Sequence, residues 1–240
     1  MSKRICVIVP TLNEAGTIRQ LCTSIFENVP AATILIVDDN STDGTIDEIE
    51  DLVKSGAQID LVIRPKRLGI GSAHQVGLEL AASNGFDIVV TMDADLSHSP
   101  EDINRLLEAL NEAEVVIGSR FLPGGGLENW SLYRRSLTYL GHFLTCVILR
   151  VNYDASTAFR AYRLSPKIVE IVTRTPSHSY AFFVESISLL NAYDIQISQV
   201  AVVLPSRTYG HSKMRVSDLF DSVRRLILTR KLLRNVETLR

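Results

Sequence analysis

Short apolar runs alternate with helical patterns through the first half of the chain, and this alternation limits the fold more than any other feature. Runs of strand length, rich in β-branched residues, begin at Ile5, Ile34, Leu61, Ile88 and Val115. Continuous apolar runs of this kind are typical of strands buried on both faces of a parallel sheet. Helical segments follow the first four runs. The sequence therefore predicts an α/β fold with a mostly parallel central sheet and helices on both faces.

Polar or charged side chains follow the predicted strands, at the points where the strands end. They are Asn13, Glu14, Asp39, Arg67, Asp93, Asp95 and Arg120. Right-handed crossovers carry the loops after parallel strands to the same edge of the sheet, where open α/β sheets bind their ligands. We therefore expect one composite site, because solvated loops without a function would not all end in this way.

The predicted strand at residues 88–92 ends in two aspartates, Asp93 and Asp95. Neighbouring carboxylates repel each other unless a cation joins them, and hard divalent cations prefer oxygen ligands. The pair therefore indicates a site for Mg²⁺ or Mn²⁺ together with a phosphorylated substrate. The alternative is a helix-capping aspartate beside a solvated one. A helix is predicted to start just beyond, with Ser99 as its N-cap and Pro100 as its first residue.

Two further loops carry groups suited to a nucleotide. Residues 38–45 are dense in Asx and hydroxyl side chains, and Asp39 is suited to accept hydrogen bonds from a base or a ribose. Turn formation and helix capping are the alternative explanation of this loop. Residues 64–71 place cations and glycines just before a helix, where phosphate can bind. His98 and His211 are interpreted as ordinary loop residues.

Three further segments belong to the second half, and the sequence leaves open what surrounds two of them. Residues 137–149 are apolar, lie between arginines and are too short to span a bilayer, so a core helix is favoured over one on a membrane surface. Residues 216–233 predict a helix with one apolar face and a basic remainder. That basic surface is either solvated or bound to anionic lipid or to a partner subunit. Residues 197–204 predict a single late strand.

Composition narrows the class of protein. The net charge of −2 disfavours a protein that coats nucleic acid. Cys6, Cys22 and Cys146 are odd in number and lie among apolar residues, which indicates buried thiols in a reducing compartment. There is no secretory leader and no apolar run of about 20 residues, the length that spans a bilayer. We therefore expect one cytoplasmic domain without a signal peptide or a transmembrane helix.

Taken in order, the motifs of the chain resemble those of the inverting family 2 glycosyltransferases. The matching segments are VPTLNE (9–14), VDDNSTDGT (37–45), RLGIGSA (67–73), MDADLSHSP (92–100), GSRF (118–121), DASTAFRAYR (154–163), YAFFVE (180–185) and RTYGHSK (207–213). The first four are similar to motifs of the whole superfamily. The form DADLSH, together with the last segment, is most similar to the dolichyl-phosphate (polyprenyl-phosphate) mannosyltransferases.

The resemblance implies the Rossmann-like nucleotide-diphospho-sugar transferase fold, called GT-A, in a single catalytic domain. It implies a nucleotide-sugar-binding half (1–120), an acceptor-binding half (121–213) and a C-terminal basic amphipathic helix (214–240). The implied reaction is metal-dependent, inverting transfer of a hexose, mannose from GDP-mannose, to a polyprenyl or dolichyl phosphate. The chain would lie peripherally on the cytoplasmic face of a membrane or contact a small membrane-anchored partner.

The resemblance also assigns the donor site, position by position. The nucleotide would contact Pro10, Leu12, Glu14, Val37 and Asp39. The diphosphate would contact Asp93, Ala94 and Asp95. Mg²⁺ or Mn²⁺ would be held by Asp93, Asp95 and Ser97, with Asp95 as the direct ligand. Leu12 and Ser97 depart from the tyrosine and glutamine that other members often carry there, and Thr157 with Ala158 replaces the more usual pair of small Ser and Gly residues.

The remaining assignments concern phosphates and the reaction. Arg120, Arg207 and Lys213 would bind phosphates of donor and acceptor, and with Asp95 they form the predicted catalytic set. A phosphate oxygen is already anionic near neutral pH, so the reaction needs no strong general base. Two alternatives stay open: a related transferase with another nucleotide sugar (UDP-glucose or UDP-GlcNAc type) or a non-lipid acceptor, and a non-catalytic nucleotide-sugar-binding subunit.

Overall fold

The fold alternates strands and helices as the sequence predicts. The computed structural model describes residues 3–205 and 216–238. The first half contains β1 (Ile5–Thr11), α1 (Ile18–Asn28), β2 (Thr33–Asp38), α2 (Thr45–Lys54), β3 (Ile59–Ile63), α3 (Ile70–Ser83), β4 (Ile88–Thr91), α4 (Asp102–Ala109) and β5 (Val115–Ser119). The second half contains β6 (Gly126–Glu128), α5 (Leu132–Leu149), β7 (Arg160–Arg163), α6 (Pro166–Thr173), α7 (Ala181–Ala192), β8 (Ile197–Ala201), β9 (Val203–Pro205) and α8 (Val216–Thr238).

Most strands lie in one seven-stranded sheet with the order β3-β2-β1-β4-β7-β5-β8. Every neighbouring pair is parallel except the two made by β7, which runs antiparallel between β4 and β5. Alternate residues of the strands face opposite cores. Ile8 packs on the side of α3 and α7, whereas the next residue, Val9, packs on the side of α1 and α4. The predicted α/β class is thus confirmed, and coverage of both faces explains the uninterrupted apolar strands.

Two boundary predictions are wrong. Helix α4 begins at Asp102, not at Pro100, and Ser99 makes no side-chain cap. The carbonyls of Ser99 and Pro100 instead accept bonds from Asp102 N and Ile103 N, each 3.1 Å long, in a tight turn that leads into the helix. The late strand at 197–204 is also divided. Val202 leaves β8, donates to Ser119 O at 2.9 Å and accepts from Gly126 N at 3.1 Å, so that β9 pairs with β6.

The favoured core position of the apolar helix holds for one face only, where Leu144, Ile148 and Leu149 pack against the core. Of the residues in α5, only Leu149 is buried. Leu132 is 79% exposed, Phe143 61% and Val147 59%. These positions and Leu140 fall within less than a quarter-turn of one another at the helical period, so they form one stripe. None of the described helices has the length and hydropathy needed to cross a bilayer.

A buried histidine lies between α3 and α7. His74 stacks on Phe182 with ring centroids 5.8 Å apart and meets the edge of Phe183 at 5.1 Å. Neither ring nitrogen has a hydrogen-bond partner among the described residues. Burial, reinforced by the positive charge of Arg160, lowers the pKa of His74 from 6.5 to about 3. The native protein therefore keeps this side chain neutral, whereas the unfolded chain protonates it near pH 6.5.

We expect stability to fall in mild acid because of this histidine. A group whose pKa is lower in the folded state leaves the unfolded chain holding more protons, so unfolding is favoured as pH drops from about 6.5 toward about 3. The slope approaches about 1.4 kcal/mol per pH unit for one proton. Urea unfolding at pH 7 and at pH 4.5 measures it. His74→Leu should reduce the difference between the two pH values, and an unchanged difference would contradict the assignment.

Candidate active site

The loops that follow the parallel strands meet at one edge of the sheet, as expected. Asp39 N donates to Thr11 O at 2.9 Å, which joins the ends of β2 and β1. Glu14 N donates to Thr45 Oγ1 at 2.8 Å, so the loop after β1 is attached to the start of α2. Pro10, Leu12 and Glu14 are half-buried along this edge, and Val37 is buried beneath it. These residues form one wall of a candidate active site.

The hydroxyl-rich loop after β2 is organised by Asp38, which the sequence analysis did not single out. This carboxylate is fully buried. It accepts from Thr11 Oγ1 at 2.6 Å, from Ser41 N at 2.7 Å and from Ser41 Oγ at 2.6 Å. Because a buried charge needs such partners, Asp38 fixes the wall that Asp39 extends. The only signal in the sequence was its place at a strand end.

Asp39 is buried and already bonded within the protein. It forms an ion pair with the equally buried Arg64, and its Oδ2 accepts from Gly69 N at 3.1 Å. The carboxylate thus connects the end of β2 to the start of α3. Arg67, which the sequence pattern favoured, is exposed, and Arg64 supplies the buried cation instead. Contact between Asp39 and a nucleotide stays a prediction, with Arg64 as part of the same surface.

The loop after β4 carries the predicted metal and diphosphate residues. Asp93 and Asp95 are half-buried, and Ala94 and Ser97 are buried. Ser97 N donates to Asp95 Oδ1 at 3.1 Å, and Asp93 N donates to His98 Nδ1 at 3.1 Å. His98 lies in a loop, as interpreted, but it is buried and hydrogen-bonded to the Asp93 peptide. Spacing alone could not reveal this contact, although its place in the DADLSH motif was a hint.

This loop suits a hard divalent cation. Two carboxylates and a hydroxyl are oxygen donors of the kind that Mg²⁺ and Mn²⁺ prefer. Within residues 3–205 and 216–238, no group of three or more His, Cys, Asp and Glu side chains is arranged to hold a metal. Mg²⁺ commonly binds through one or two carboxylates while substrate phosphates and water complete its shell. The donor set fits that kind of shared site.

Arg120 lies at the end of β5 and is paired with Asp154. Its Nε donates to Asp154 Oδ2 at 2.7 Å and its Nη2 to Asp154 Oδ1 at 2.6 Å, a two-point contact. Arg120 Nη2 also donates to Ser156 Oγ at 2.6 Å. The Arg120 side chain is 10% exposed and that of Asp154 is fully buried. This pair joins the two halves of the chain at the site edge.

Electrostatics agree with that geometry. Burial alone raises the pKa of Asp154, yet the Arg120 charge and its hydrogen bonds outweigh burial and hold that pKa below its ordinary value. Burial likewise lowers the pKa of Arg120, while Asp154 and, less strongly, Asp93 raise it above the usual value. Both groups therefore stay charged.

Asp154 was missed as a site residue because the sequence offered only its place in the DASTAFRAYR segment. Its partner is 34 positions away in the chain, so no local spacing could connect them. Arg207 and Lys213, the other predicted phosphate-binding cations, lie outside the described residues. Of the three predicted phosphate-binding cations, Arg120 alone thus lies among the described residues.

Comparison of the sequence with known proteins identifies the family of this chain. The model of the family "Glycosyl transferase family 2" matches residues 6–167. The undecaprenyl-phosphate mannosyltransferase of Micrococcus luteus is 32% identical over 212 residues, which cover 88% of this chain and 87% of that protein. The polyprenol monophosphomannose synthase of Mycolicibacterium smegmatis is 29% identical over 225 residues, which cover 92% and 85%.

Solved structures share the fold. Glucosyl-3-phosphoglycerate synthase from Mycobacterium tuberculosis, solved with Mn²⁺, UDP and glucosyl-3-phosphoglycerate, superposes with a TM-score of 0.65 at 23% identity, over 95% of this chain and 78% of that one. The mannosyltransferase PcManGT from Pyrobaculum calidifontis, solved with GDP-Man and Mn²⁺, superposes with a TM-score of 0.61 at 15% identity, over 97% and 74%. At these identities the likeness shows the fold alone.

Proposed function

The chain belongs to glycosyltransferase family 2 and is a glycosyltransferase with the GT-A fold, and from this we propose that it transfers mannose from GDP-mannose to a polyprenyl phosphate. The observation that carries the proposal is the pair of relatives named for mannosyl transfer to polyprenyl phosphates, which match most of both chains. The transfer inverts the anomeric carbon in a single displacement. We further propose that residues 1–120 bind the donor and residues 121–213 the acceptor.

The donor would lie along the wall formed by the ends of β1 and β2. Pro10, Leu12, Glu14, Val37 and Asp39 would contact the nucleotide, and Arg64 stabilises the charge of Asp39 there. Asp93, Ala94 and Asp95 would contact the diphosphate. Asp93 and Asp95 are half-buried in the loop after β4, so neither residue is fully shielded from solvent.

Asp93, Asp95 and Ser97 would hold Mg²⁺ or Mn²⁺. When bound, the cation neutralises charge on the diphosphate as the glycosidic bond breaks. The chain itself contributes the arrangement. Ser97 N holds Asp95 Oδ1 at 3.1 Å, which orients one carboxylate before any ligand binds. Two solved structures with the same fold, both bound to Mn²⁺, support the choice of a divalent cation.

The acceptor phosphate would be bound on the opposite side of the sugar by Arg120, with Arg207 and Lys213. Asp154 accepts hydrogen bonds from Nε and Nη2 of Arg120. The buried carboxylate therefore fixes the orientation of the guanidinium. A positioned cation holds the anionic oxygen in line with the anomeric carbon. The phosphate oxygen attacks as the anion, and no protein group needs to remove a proton.

A panel of donors and acceptors tests the proposal. With Mn²⁺ present, GDP-mannose and a short-chain polyprenyl phosphate should give a lipid-linked mannose of inverted configuration. GDP-glucose, UDP-glucose and UDP-GlcNAc should be poorer donors, and free sugars or 3-phosphoglycerate should not accept. Product extraction and mass spectrometry measure the outcome. Turnover with a soluble acceptor and none with polyprenyl phosphate would contradict it, as would donor binding by calorimetry without any turnover.

The exposed stripe of α5 supports peripheral contact with a membrane, where a polyprenyl phosphate resides. Helix α5 packs against α8, whose outer surface exposes Ile227 and Leu228 beside Arg224 and Lys231. Apolar side chains bordered by cations are typical of helices that lie in the interface of anionic bilayers. This surface would keep the chain beside its acceptor. A small membrane-anchored partner is the alternative occupant.

We expect substitutions in this stripe to weaken vesicle binding. Exchanging Phe143 and Leu140 for serine removes apolar area worth about 1.5–3 kcal/mol for each fully buried side chain, so partition onto vesicles containing phosphatidylglycerol should fall roughly tenfold or more. Co-sedimentation measures it. Val53→Ser, at an exposed apolar residue on the opposite face of the sheet, is the matched control. Equal binding by the unsubstituted protein, the stripe variant and the Val53→Ser control would rule the stripe out as a membrane contact.

A further inference from the structure

His98 closes the loop that carries the two aspartates. Its side chain is 4% exposed, although it lies only three residues after Asp95. Its Nδ1 accepts the backbone N–H of Asp93 at 3.1 Å. The nearer carboxylate oxygen of Asp93 is 3.9 Å from the same nitrogen, which is beyond hydrogen-bonding distance. The hydrogen bond is therefore made to the peptide N–H of Asp93 and not to its carboxylate.

The ring is held from below as well. His98 stacks on Phe159 with centroids 5.1 Å apart and an interplanar angle of 17°. Phe159 is fully buried, and its carbonyl accepts from Gly118 N at 2.9 Å, two residues before Arg120. The histidine therefore lies between the loop after β4 and the buried strand ends that carry the phosphate-binding arginine. A surface loop residue would have none of these contacts.

The loop that His98 closes is unusual in its backbone. Leu96 has φ of +59°, a left-handed conformation that side chains other than glycine rarely adopt. Two hydrogen bonds enclose this residue, one from Asp93 N to His98 Nδ1 and one from Ser97 N to Asp95 Oδ1. Such a conformation persists only where surrounding contacts determine it. The bond to His98 spans more residues, 93–98, than the other and fixes both ends of the loop.

We propose that His98 is a positioning residue, whose Nδ1 holds the Asp93 peptide and so sets the two carboxylates for a divalent cation and the donor diphosphate. The inference rests on the donor half of the proposed function and is independent of the acceptor. His98 does not touch the cation. It acts as the outer partners of metal ligands do, and the loss of such partners weakens metal binding about 10- to 100-fold.

Two substitutions of similar polarity separate this role from a merely structural one. The Oδ1 atom of asparagine lies as far along the side chain as the histidine Nδ1, whereas the amide of glutamine lies one bond further out. His98→Asn can therefore keep a hydrogen-bond acceptor opposite Asp93 N, whereas His98→Gln moves the acceptor too far along the side chain. Both variants lose the stacking on Phe159 equally, so any general loss of packing is common to them.

The probe is Mn²⁺ in the presence of GDP, titrated by electron paramagnetic resonance with no acceptor present. His98→Gln should weaken Mn²⁺ binding about 10- to 100-fold, and His98→Asn should stay within about threefold of the unsubstituted protein. In steady-state assays the KM for GDP-mannose should rise in His98→Gln while that for the acceptor is unchanged. Thermal unfolding of both variants reports the common packing loss, and His98→Ala replaces His98→Gln if that variant does not fold.

Equal Mn²⁺ affinity in the Asn and Gln variants would overturn the inference, whether both are weak or both are normal. The proposed function fails differently. If the lipid acceptor is wrong, no mannose reaches polyprenyl phosphate, yet the difference in Mn²⁺ binding between the two variants remains. If the cation site is wrong, the unsubstituted protein binds no Mn²⁺ with GDP, and the inference falls with it.

Discussion

Asp95→Ala should lower kcat for mannosyl transfer by roughly a thousandfold or more, about 4 kcal/mol of transition-state stabilisation, and leave the fold intact. The side chain is half-buried at a loop surface, so its removal opens no cavity in the core. It does remove the predicted direct ligand of the cation at the point where the leaving diphosphate gains charge. Single-turnover kinetics with saturating GDP-mannose measure the chemical step, and circular dichroism measures the fold.

The matched control for this variant is Asp51→Ala, which removes an exposed aspartate of α2 that forms a surface ion pair with Lys54. Surface pairs of this kind contribute little to stability. Its kinetics should therefore equal those of the unsubstituted protein. An Asp95→Ala protein that keeps its turnover, and keeps it in the presence of a chelator, would remove Asp95 and the cation from the reaction.

Asp154→Ala should destabilise the fold by about 3–5 kcal/mol, the usual cost of leaving one member of a buried ion pair without the other. The Arg120 side chain, 10% exposed, would lose its partner carboxylate. The four hydrogen bonds that Asp154 accepts from Arg120 and Ser156 would also be lost. Transfer activity should fall too, since Arg120 would no longer be oriented toward the acceptor. Urea unfolding at pH 7 measures the free energy of unfolding.

A double-mutant cycle with Arg120→Ala tests whether the two side chains act as a pair. The double variant should be less destabilised than the sum of the single variants, because removing both side chains leaves no uncompensated buried charge. Ser156→Ala removes an exposed hydroxyl from the same cluster and should cost about 1 kcal/mol or less. Additive losses, or a loss below about 1 kcal/mol for Asp154→Ala, would contradict a dominant role for the pair.

The sequence predicts the part of this protein that repeats. Five apolar runs and the polar residues after them were enough to predict the sheet and the edge where its loops meet, because parallel strands impose both. It could not predict the contacts inside that edge. Asp39 with Arg64 and Arg120 with Asp154 join residues that are far apart in the chain or equally plausible as solvated charges.

Helix α5 illustrates a second limit. Periodicity tells which side of a helix is apolar, but a core, a membrane surface and a partner protein all satisfy an apolar side. Length favoured the core, but only one face of α5 packs there and the other face carries the exposed stripe. His98 illustrates a third. Its bond to Asp93 depends on the left-handed turn at Leu96, which no propensity for leucine would predict.

The reversed direction of β7 has a consequence for how this chain tolerates change. Because β7 runs against β4 and β5, the segment that enters it lies at the ligand edge, as the bond from Thr91 Oγ1 to Ala158 O at 2.6 Å shows. The segment that leaves it, at Leu164 and Ser165, emerges at the far rim of the sheet. Extra residues or an affinity tag inserted there would lie away from the candidate active site. The same insertion a few residues before Arg160 would disturb the segment that holds Arg120 through Asp154.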